Sequence, residues 1–199
     1  DKMVASVMDK VKFFEDQDIS RESAGKPIRP EEVVRGSMPT ICLRQVKDPV
    51  IWFRGYEQTY LERDVRELSR IGDLSSLRTL LRLTALRTGQ LLSPSQLGRD
   101  AKLSAVTTSR HLSLFEASFL IIRIQPYLGN RSSRLIKSPK LYMSDAGLAA
   151  YLTGLELLPS IRNDPTYGAI LETYVAQNLL SILSAKWQNA SLYFWAVQG

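Results

Sequence analysis

The sequence predicts a mainly α-helical protein with a small β component, including a winged-helix-like domain over residues 49–145. Apolar residues recur at helical spacing through most of that range. The stretch SPSQLGRDAKLSAVTTSRHLSLFEASFLIIRI, residues 93–124, carries the start signals of two short helices, followed by an apolar strand. The strand-like runs FLIIRIQPY and RLIKSPKLYMSD are separated by LGNRSS, whose Gly and Asn favour a hairpin turn.

The composition is that of an ordinary folded protein. Of the 199 residues, 44% are hydrophobic and 23% charged, enough for a substantial core in one or two domains. No apolar run approaches the ~20 residues of a membrane span, so we expect a cytoplasmic protein without membrane contact. Cys42 is the only cysteine, which excludes an internal disulfide and a cysteine-based zinc site, and we expect it to be buried.

Positive charge is concentrated in one part of the chain. The net charge is +6, but residues 78–140 contain eleven Lys and Arg against only Asp100 and Glu116, an excess of nine. The remainder therefore sums to minus three. Such an excess favours a polyanionic partner such as DNA. The alternative is a solvated basic face that binds nothing in particular.

Residues 1–48 predict one helix and an irregular connection interrupted by glycine and three prolines. Gly25 and Lys26 suggest a nucleotide-binding loop. However, Ser20 stands where that motif requires glycine, and Pro27 replaces the required serine or threonine. The sequence therefore contains no P-loop.

Two helices are predicted between residues 50 and 89. In the first, Trp52, Tyr56 and Tyr60 recur every four residues, as in an amphipathic helix. In the second, Leu74, Leu77, Leu81 and Ala85 form an inward stripe, Arg78 and Arg82 project outward, and Gly89 ends the helix.

A helix pair follows. Ser93, Pro94 and Gln96 predict a capping box at the start of its first helix, and Ser104 is expected to cap the second. The second helix should pack through four residues spaced along one face, namely Thr108, His111, Leu112 and Phe115. Its solvent-facing or partner-facing residues are then Thr107, Ser109, Arg110 and Ser113.

This layout suits double-stranded DNA. In helix-turn-helix proteins the second helix reads base edges in the major groove while flanking cations hold phosphates. Arg110 offers one strong base contact, so we expect modest sequence preference. The hairpin adds four cations: Arg131, Arg134, Lys137 and Lys140. Winged helices also mediate protein contacts, which is the competing interpretation.

Several segments closely resemble a family of prokaryotic AAA-type ATPases. They are TYLERDVREL, GQLLSPSQLGRDAKLS, RHLSLFEASFLI, QPYLGNRSSRLIKSPKLYMSDAGLAAYLTGL and GAILETYVAQNLL. The resemblance covers roughly residues 31–199 and is to the family's C-terminal domain of unknown function 4143. It implies that residues 1–48 are a remnant of, or linker from, an ATPase domain. The parent protein would bind ATP and magnesium, contact its own ATPase domain and could form a homo-oligomer.

The same resemblance implies that residues 146–199 begin a restriction-endonuclease-like α/β unit, truncated after the strand-like LYFWAVQG. Glu172 matches a helical glutamate of such nucleases, and Asp145 is expected to cap the first helix. Because the remaining acidic residues and lysine are missing, we expect neither a catalytic nor a metal site, and no cofactor, in this fragment.

Three functions stay open: a DNA-binding and coupling module of an ATPase, a fragment of a nuclease, and a protein-docking winged helix within an ATPase oligomer.

Overall fold

The computed structural model describes residues 27–60, 74–127, 137–155, 161–187 and 189–195. This part of the chain is mainly helical and carries a small four-stranded mixed sheet, as the sequence predicts. The helices are α1 (Pro30–Arg35), α2 (Pro39–Cys42), α3 (Pro49–Thr59), α4 (Leu74–Leu86), α5 (Pro94–Asp100), α6 (Ala105–Ala117), α7 (Ala146–Thr153) and α8 (Tyr167–Lys186). The strands are β1 (Gln90–Leu91), β2 (Ile121–Pro126), β3 (Lys140–Met143) and β4 (Tyr193–Phe194), and a short 3₁₀ helix spans Ile161–Asn163.

The sheet is built around the predicted hairpin. Its strand order is β1-β3-β2-β4. Strand β3 is antiparallel to β2, with Ile121 opposite Met143, and antiparallel to β1 on its other side. Strand β4 joins parallel to β2, with Tyr193 opposite Gln125. The connection from β2 to β3 includes residues 128–136, which lie outside the described residues.

Local signals start most of these helices. The side chains of Asp48, Ser104 and Asp145 accept hydrogen bonds from backbone N–H groups of α3, α6 and α7. The capping box expected at Ser93 is wrong, because the side chain of Ser93 makes no cap hydrogen bond. Gln96, its expected partner, instead accepts a hydrogen bond from Arg87 at 3.0 Å.

The helical periodicities placed part of the core correctly, and α7 lies at its centre. Helix α4 buries Leu77, Leu81 and Ala85 as predicted, but α3 buries Phe53 and Glu57, while Trp52 and Tyr56 of its predicted face are only half-buried. Helix α6 buries the four predicted residues, Thr108, His111, Leu112 and Phe115. Helix α7 is buried over most of its length and packs against α1, α4 and α8. Cys42 contradicts its prediction: it is exposed, because the four-residue helix α2 has one buried side, which Ile41 occupies.

A buried polar cluster fastens α1 to α7 and α8. The Asp145 carboxylate is 3% exposed and accepts hydrogen bonds from the Ser37 backbone N–H (2.7 Å), the Ser37 hydroxyl (3.0 Å) and the Leu148 N–H (2.8 Å). Gln177 on α8 accepts from the Ala146 N–H at 2.7 Å and donates to the Ser37 hydroxyl at 2.8 Å. We call Ser37, Asp145 and Gln177 the polar clasp.

Two glycines permit this close approach. A Cβ atom on Gly36, whose φ is +72°, would lie 2.4 Å from the Asp145 carboxylate. A Cβ atom on Gly147 would lie 2.4 Å from the carbonyl oxygen of Arg35. Burial raises the pKa of the Asp145 carboxyl, and the hydrogen bonds from Ser37 and Leu148 act in the opposite direction.

Removing the carboxylate should destabilise the whole fold. Asp145→Ala leaves buried N–H and hydroxyl donors without an acceptor and removes the cap of α7, so the free energy of unfolding should fall by about 3 kcal/mol. Asp48→Ala, the same change at an exposed cap with only local hydrogen bonds, should cost about 1 kcal/mol. Urea unfolding measures both values. Equal losses in the two variants would contradict a long-range role for Asp145.

Candidate nucleic-acid interface

Helices α5 and α6 are joined by a tight turn over residues 101–104. Lys102 adopts a left-handed conformation there, with φ +56°. The Leu103 N–H donates to the Gly98 carbonyl at 2.8 Å, and the Ser104 hydroxyl accepts from the Thr107 N–H at 3.1 Å. The turn thus ends α5 and caps α6 within four residues.

Gly98 sets the distance between the two helices. It is buried, and a Cβ atom at this position would lie 2.7 Å from the hydroxyl oxygen of Thr108 and 3.2 Å from the carbonyl of Leu103. The Thr108 hydroxyl in turn donates to the Ser104 carbonyl at 2.9 Å. Because no larger side chain fits, α5 and α6 pack backbone against side chain at this point.

The outer face of α6 is exposed as the sequence predicts. Ser109, Arg110 and Ser113 are exposed. Thr107 is half-buried, and its hydroxyl oxygen lies 2.8 Å from that of Ser104, so this predicted contact residue takes part in the helix cap. Val106 is 81% exposed on the same side of α6. It is not among the contact residues predicted from the sequence, because those were chosen as polar residues.

Of the four cations predicted on the hairpin, the structure describes two. Lys137 is exposed. Lys140 is half-buried: its ammonium pairs with the Glu172 carboxylate at 2.8 Å and lies 5.8 Å from the ring centre of Phe194. Arg131 and Arg134 lie outside the described residues.

Glu172 lies within α8, as expected of a helical glutamate, and is the sixth of its 20 residues. Its carboxylate accepts hydrogen bonds from Lys140 and from the Tyr142 hydroxyl (2.6 Å), so it joins α8 to the hairpin strand β3. Burial raises the pKa of Glu172, but these two hydrogen bonds outweigh it and hold the pKa below its ordinary value. Among the described residues, no group of three histidine, cysteine, aspartate or glutamate side chains could hold a metal ion.

A second contact joins α8 to the sheet one residue further on. Thr173 donates its hydroxyl to the Ala169 carbonyl at 2.8 Å, so the buried Thr88 hydroxyl, 2.7 Å away, donates to Thr173. Thr88 also accepts from the Met143 N–H at 3.0 Å. Helix α8 is therefore anchored to strand β3 of the hairpin by both an ion pair and a buried hydroxyl pair.

Ion pairs neutralise much of the basic segment. Five of its cations pair with carboxylates: Arg78 and Arg82 with Glu57, Arg87 with Asp100, Arg123 with Glu116, and Lys140 with Glu172. Glu57 and Glu172 lie outside residues 78–140, so counting charge along that segment overestimates the positive charge of the surface. Glu57 is 6% exposed and also accepts a hydrogen bond from Tyr151.

The remaining cations lie near the helix pair and the hairpin. Arg99, Lys102 and Lys137 are exposed and form no ion pair with any described residue. Arg99 lines a shallow groove between α5 and the start of α6, together with Ser95 and Ala105. With Arg110, these residues form what we call the basic rim: Arg99, Lys102, Arg110 and Lys137.

The chain is thus a mainly helical protein whose helix pair leads into an antiparallel hairpin. It belongs to the family described as Domain of unknown function (DUF8612), whose model matches residues 29–158. It is also similar to Uncharacterized protein Rv2008c of Mycobacterium tuberculosis and Uncharacterized protein Mb2031c of Mycobacterium bovis, each 29% identical over 166 residues. The match covers 83% of this chain but 37% of each relative, so the chain spans well under half of their length.

The family match corrects the resemblance drawn from sequence segments. The assignment to domain 4143 of AAA-type ATPases is wrong, because a different family model covers residues 29–158. Part of that resemblance rested on Asp145 and Gly147. The structure gives each a packing role: Asp145 caps α7, and Gly147 leaves room for the backbone of Arg35. The ATPase domain, ATP and magnesium were implied only by that resemblance, and no other observation supports them.

No helix in the described ranges is both long enough and apolar enough to cross a membrane.

The fit at Gly98 can be tested by adding one methyl group. Gly98→Ala should lower the free energy of unfolding by about 2 kcal/mol, because the new Cβ atom overlaps the Thr108 hydroxyl. The double variant Gly98→Ala/Thr108→Ala should lose less than the sum of the single variants, since the overlapping oxygen is gone. The control is Gly55→Ala in α3, where no neighbouring atom of the described residues lies within 4 Å of an added Cβ, and it should stabilise the protein by up to about 1 kcal/mol. Destabilisation by both glycine changes would contradict the specific contact.

The Glu172 contact predicts a pH dependence of stability. Since its folded-state pKa lies below the ordinary value of 4.5, the stabilisation it gives is complete above that pH and is lost as the pH falls through the folded-state pKa. Glu172→Gln cannot ionise, so the stability difference between wild type and variant should shrink as the pH falls below 4.5. Urea unfolding from neutral to acidic pH measures it. A difference that stays constant or grows on acidification would contradict the ion-pair assignment.

Proposed function

We propose that residues 74–143 form a winged helix that binds double-stranded DNA. The order of elements supports this fold: α4, the short strand β1, the pair α5 and α6, then the hairpin β2–β3, with β1 on the outer side of β3. In this arrangement α6 is the second helix of the pair, the one that helix-turn-helix proteins place in the major groove. The hairpin then corresponds to the wing.

The observation that carries the proposal is the surface around α6. Its outer face presents small polar side chains, Ser109 and Ser113, which let the helix approach base edges closely, and Arg110 between them. Three exposed cations lie on neighbouring parts of the chain: Arg99 at the end of α5, Lys102 in the turn before α6, and Lys137 shortly before β3. None of them pairs with a carboxylate of the described residues. Small side chains on the reading face and exposed cations on the adjoining elements suit a groove bordered by phosphates.

The mode of binding follows from the charges. The basic rim contacts phosphates and supplies most of the affinity, while Arg110 is also placed to donate two hydrogen bonds to a guanine. We do not count Lys140 among the phosphate contacts, because Glu172 neutralises it. Binding is therefore of modest strength, strongly salt-dependent and of limited sequence preference. Arg131 and Arg134 of the wing stay predicted contacts from the sequence alone.

The role of the polar clasp in this proposal is structural. It joins α1 to α7 and α8, and α7 also packs on α4. No catalytic step is proposed for this chain. Docking of a partner protein on α6 is the competing function. It would use the same exposed face, but its log K would not fall linearly with log salt.

Salt-dependent titration tests the proposal. Fluorescence anisotropy with a short duplex at several salt concentrations should give a linear plot of log K against log salt. Lys102→Ala/Lys137→Ala should flatten its slope by nearly two units, since each lost phosphate contact removes about 0.9. The control pair Lys47→Ala/Lys186→Ala makes the same charge change outside the helix pair and hairpin and should leave the slope unchanged. No binding at low salt, or equal slopes in both double variants, would contradict DNA binding and favour docking of a protein.

A further inference from the structure

Val106 is an apolar side chain in the middle of a surface otherwise suited to polar contacts. It is the second residue of α6 and is 81% exposed. At helical spacing it lies one turn before Ser109 and Arg110, so the three side chains share the outer face of α6. Single exposed apolar residues are common on protein surfaces. Val106 differs from them by its position, because the first turns of a recognition helix face the base edges.

The fold itself gives no reason for a valine at this position. Ser104 and Thr107 form the cap of α6, and the packing face of the helix consists of Thr108, His111, Leu112 and Phe115. β-Branched residues are also less favourable in helices than alanine or glutamate. An exposed valine here therefore costs helix stability and contributes nothing to the core.

We propose that Val106 contacts the 5-methyl group of thymine in the major groove and so gives this protein a preference for T-containing sites. This inference rests on the proposed function and names the base that the helix selects. The thymine methyl is the only apolar group among the base edges of the major groove, and apolar side chains recognise it by contact. The small neighbours Ala105, Ser109 and Ser113 let Val106 reach the groove floor.

The charged surroundings are consistent with this occupant. Lys102 precedes α6, and Arg99 lines the shallow groove on the protein surface together with Ala105. In duplex DNA, phosphates lie on both sides of the base edges. Cations on either side of an apolar contact therefore suit the major groove of DNA. An apolar protein partner would instead be matched by a continuous apolar patch, whereas the residues one turn from Val106 are Ser109 and Arg110.

The test compares two short duplexes of identical sequence made of A·T or A·U pairs in mixed order, which differ only in the 5-methyl group. Fluorescence anisotropy at low salt gives the affinity of the full 199-residue chain for each. Wild type should bind the thymine duplex about fourfold more tightly, the effect of burying one methyl-sized group. Val106→Ala should bind both duplexes equally, with its affinity for the uracil duplex unchanged.

Two further variants exclude indirect effects. Val106→Thr keeps one methyl group at the same position and should retain part of the thymine preference. Val175→Ala is the same substitution as Val106→Ala at an exposed position of α8 (42% exposed) and should keep the full preference. Because Val106 is exposed, Val106→Thr should unfold at about the same urea concentration as wild type, and Val106→Ala at the same or a slightly higher one.

Each outcome has one meaning. Loss of the thymine preference in Val106→Ala alone supports the inference. Equal binding of both duplexes by wild type, or a preference that survives Val106→Ala, overturns it while leaving DNA binding intact. A preference lost equally in Val175→Ala also overturns it, since the contact would then not be local. Failure of wild type to bind either duplex overturns the proposed function itself.

Discussion

The buried carboxylate of Asp145 is the interaction on which the rest of the structure depends. It caps α7 and accepts both the N–H and the hydroxyl of Ser37, a residue 108 positions earlier in the chain. Gln177 extends the same cluster to α8. Helix α7 packs in turn against α4, the first helix of the proposed winged helix. Asp145 thus joins α1 to α7, and Gln177 joins both to α8, because buried donors must be satisfied.

The position of α8 links the clasp to the candidate interface. Gln177 belongs to the clasp, while Glu172 and Thr173, little more than one turn earlier, are joined to strand β3 of the hairpin through Lys140 and Thr88. Strand β3 is therefore held by α8, the same helix that anchors α1. If the hairpin is the wing of a DNA-binding domain, as we propose, this support holds its strands in place for a contact shared with α6.

Tertiary packing also decides which charges are available to a partner. Glu57 lies on α3 and Glu172 on α8, yet both neutralise cations of the basic segment. Arg78 and Arg82, which project outward from α4, converge on the buried Glu57. The positive charge that remains exposed is consequently carried by fewer residues, chiefly around the turn between α5 and α6. These residues define the candidate contact more closely than the excess of positive charge along residues 78–140 does.

The sequence by itself determined what depends on near neighbours: the helix pair, the cap at Ser104 and the inward face of α6, since these follow from spacing and local hydrogen bonds. The prediction of a capping box at Ser93 failed, because its expected partner Gln96 accepts a hydrogen bond from Arg87 instead. The sequence segments also indicated the wrong family, since a different family model matches residues 29–158. Tertiary structure alone decided the polar clasp, the neutralisation of Lys140 and the burial of Glu57. Each depends on which side chains long-range folding brings within a few ångströms, and residue spacing carries no record of that.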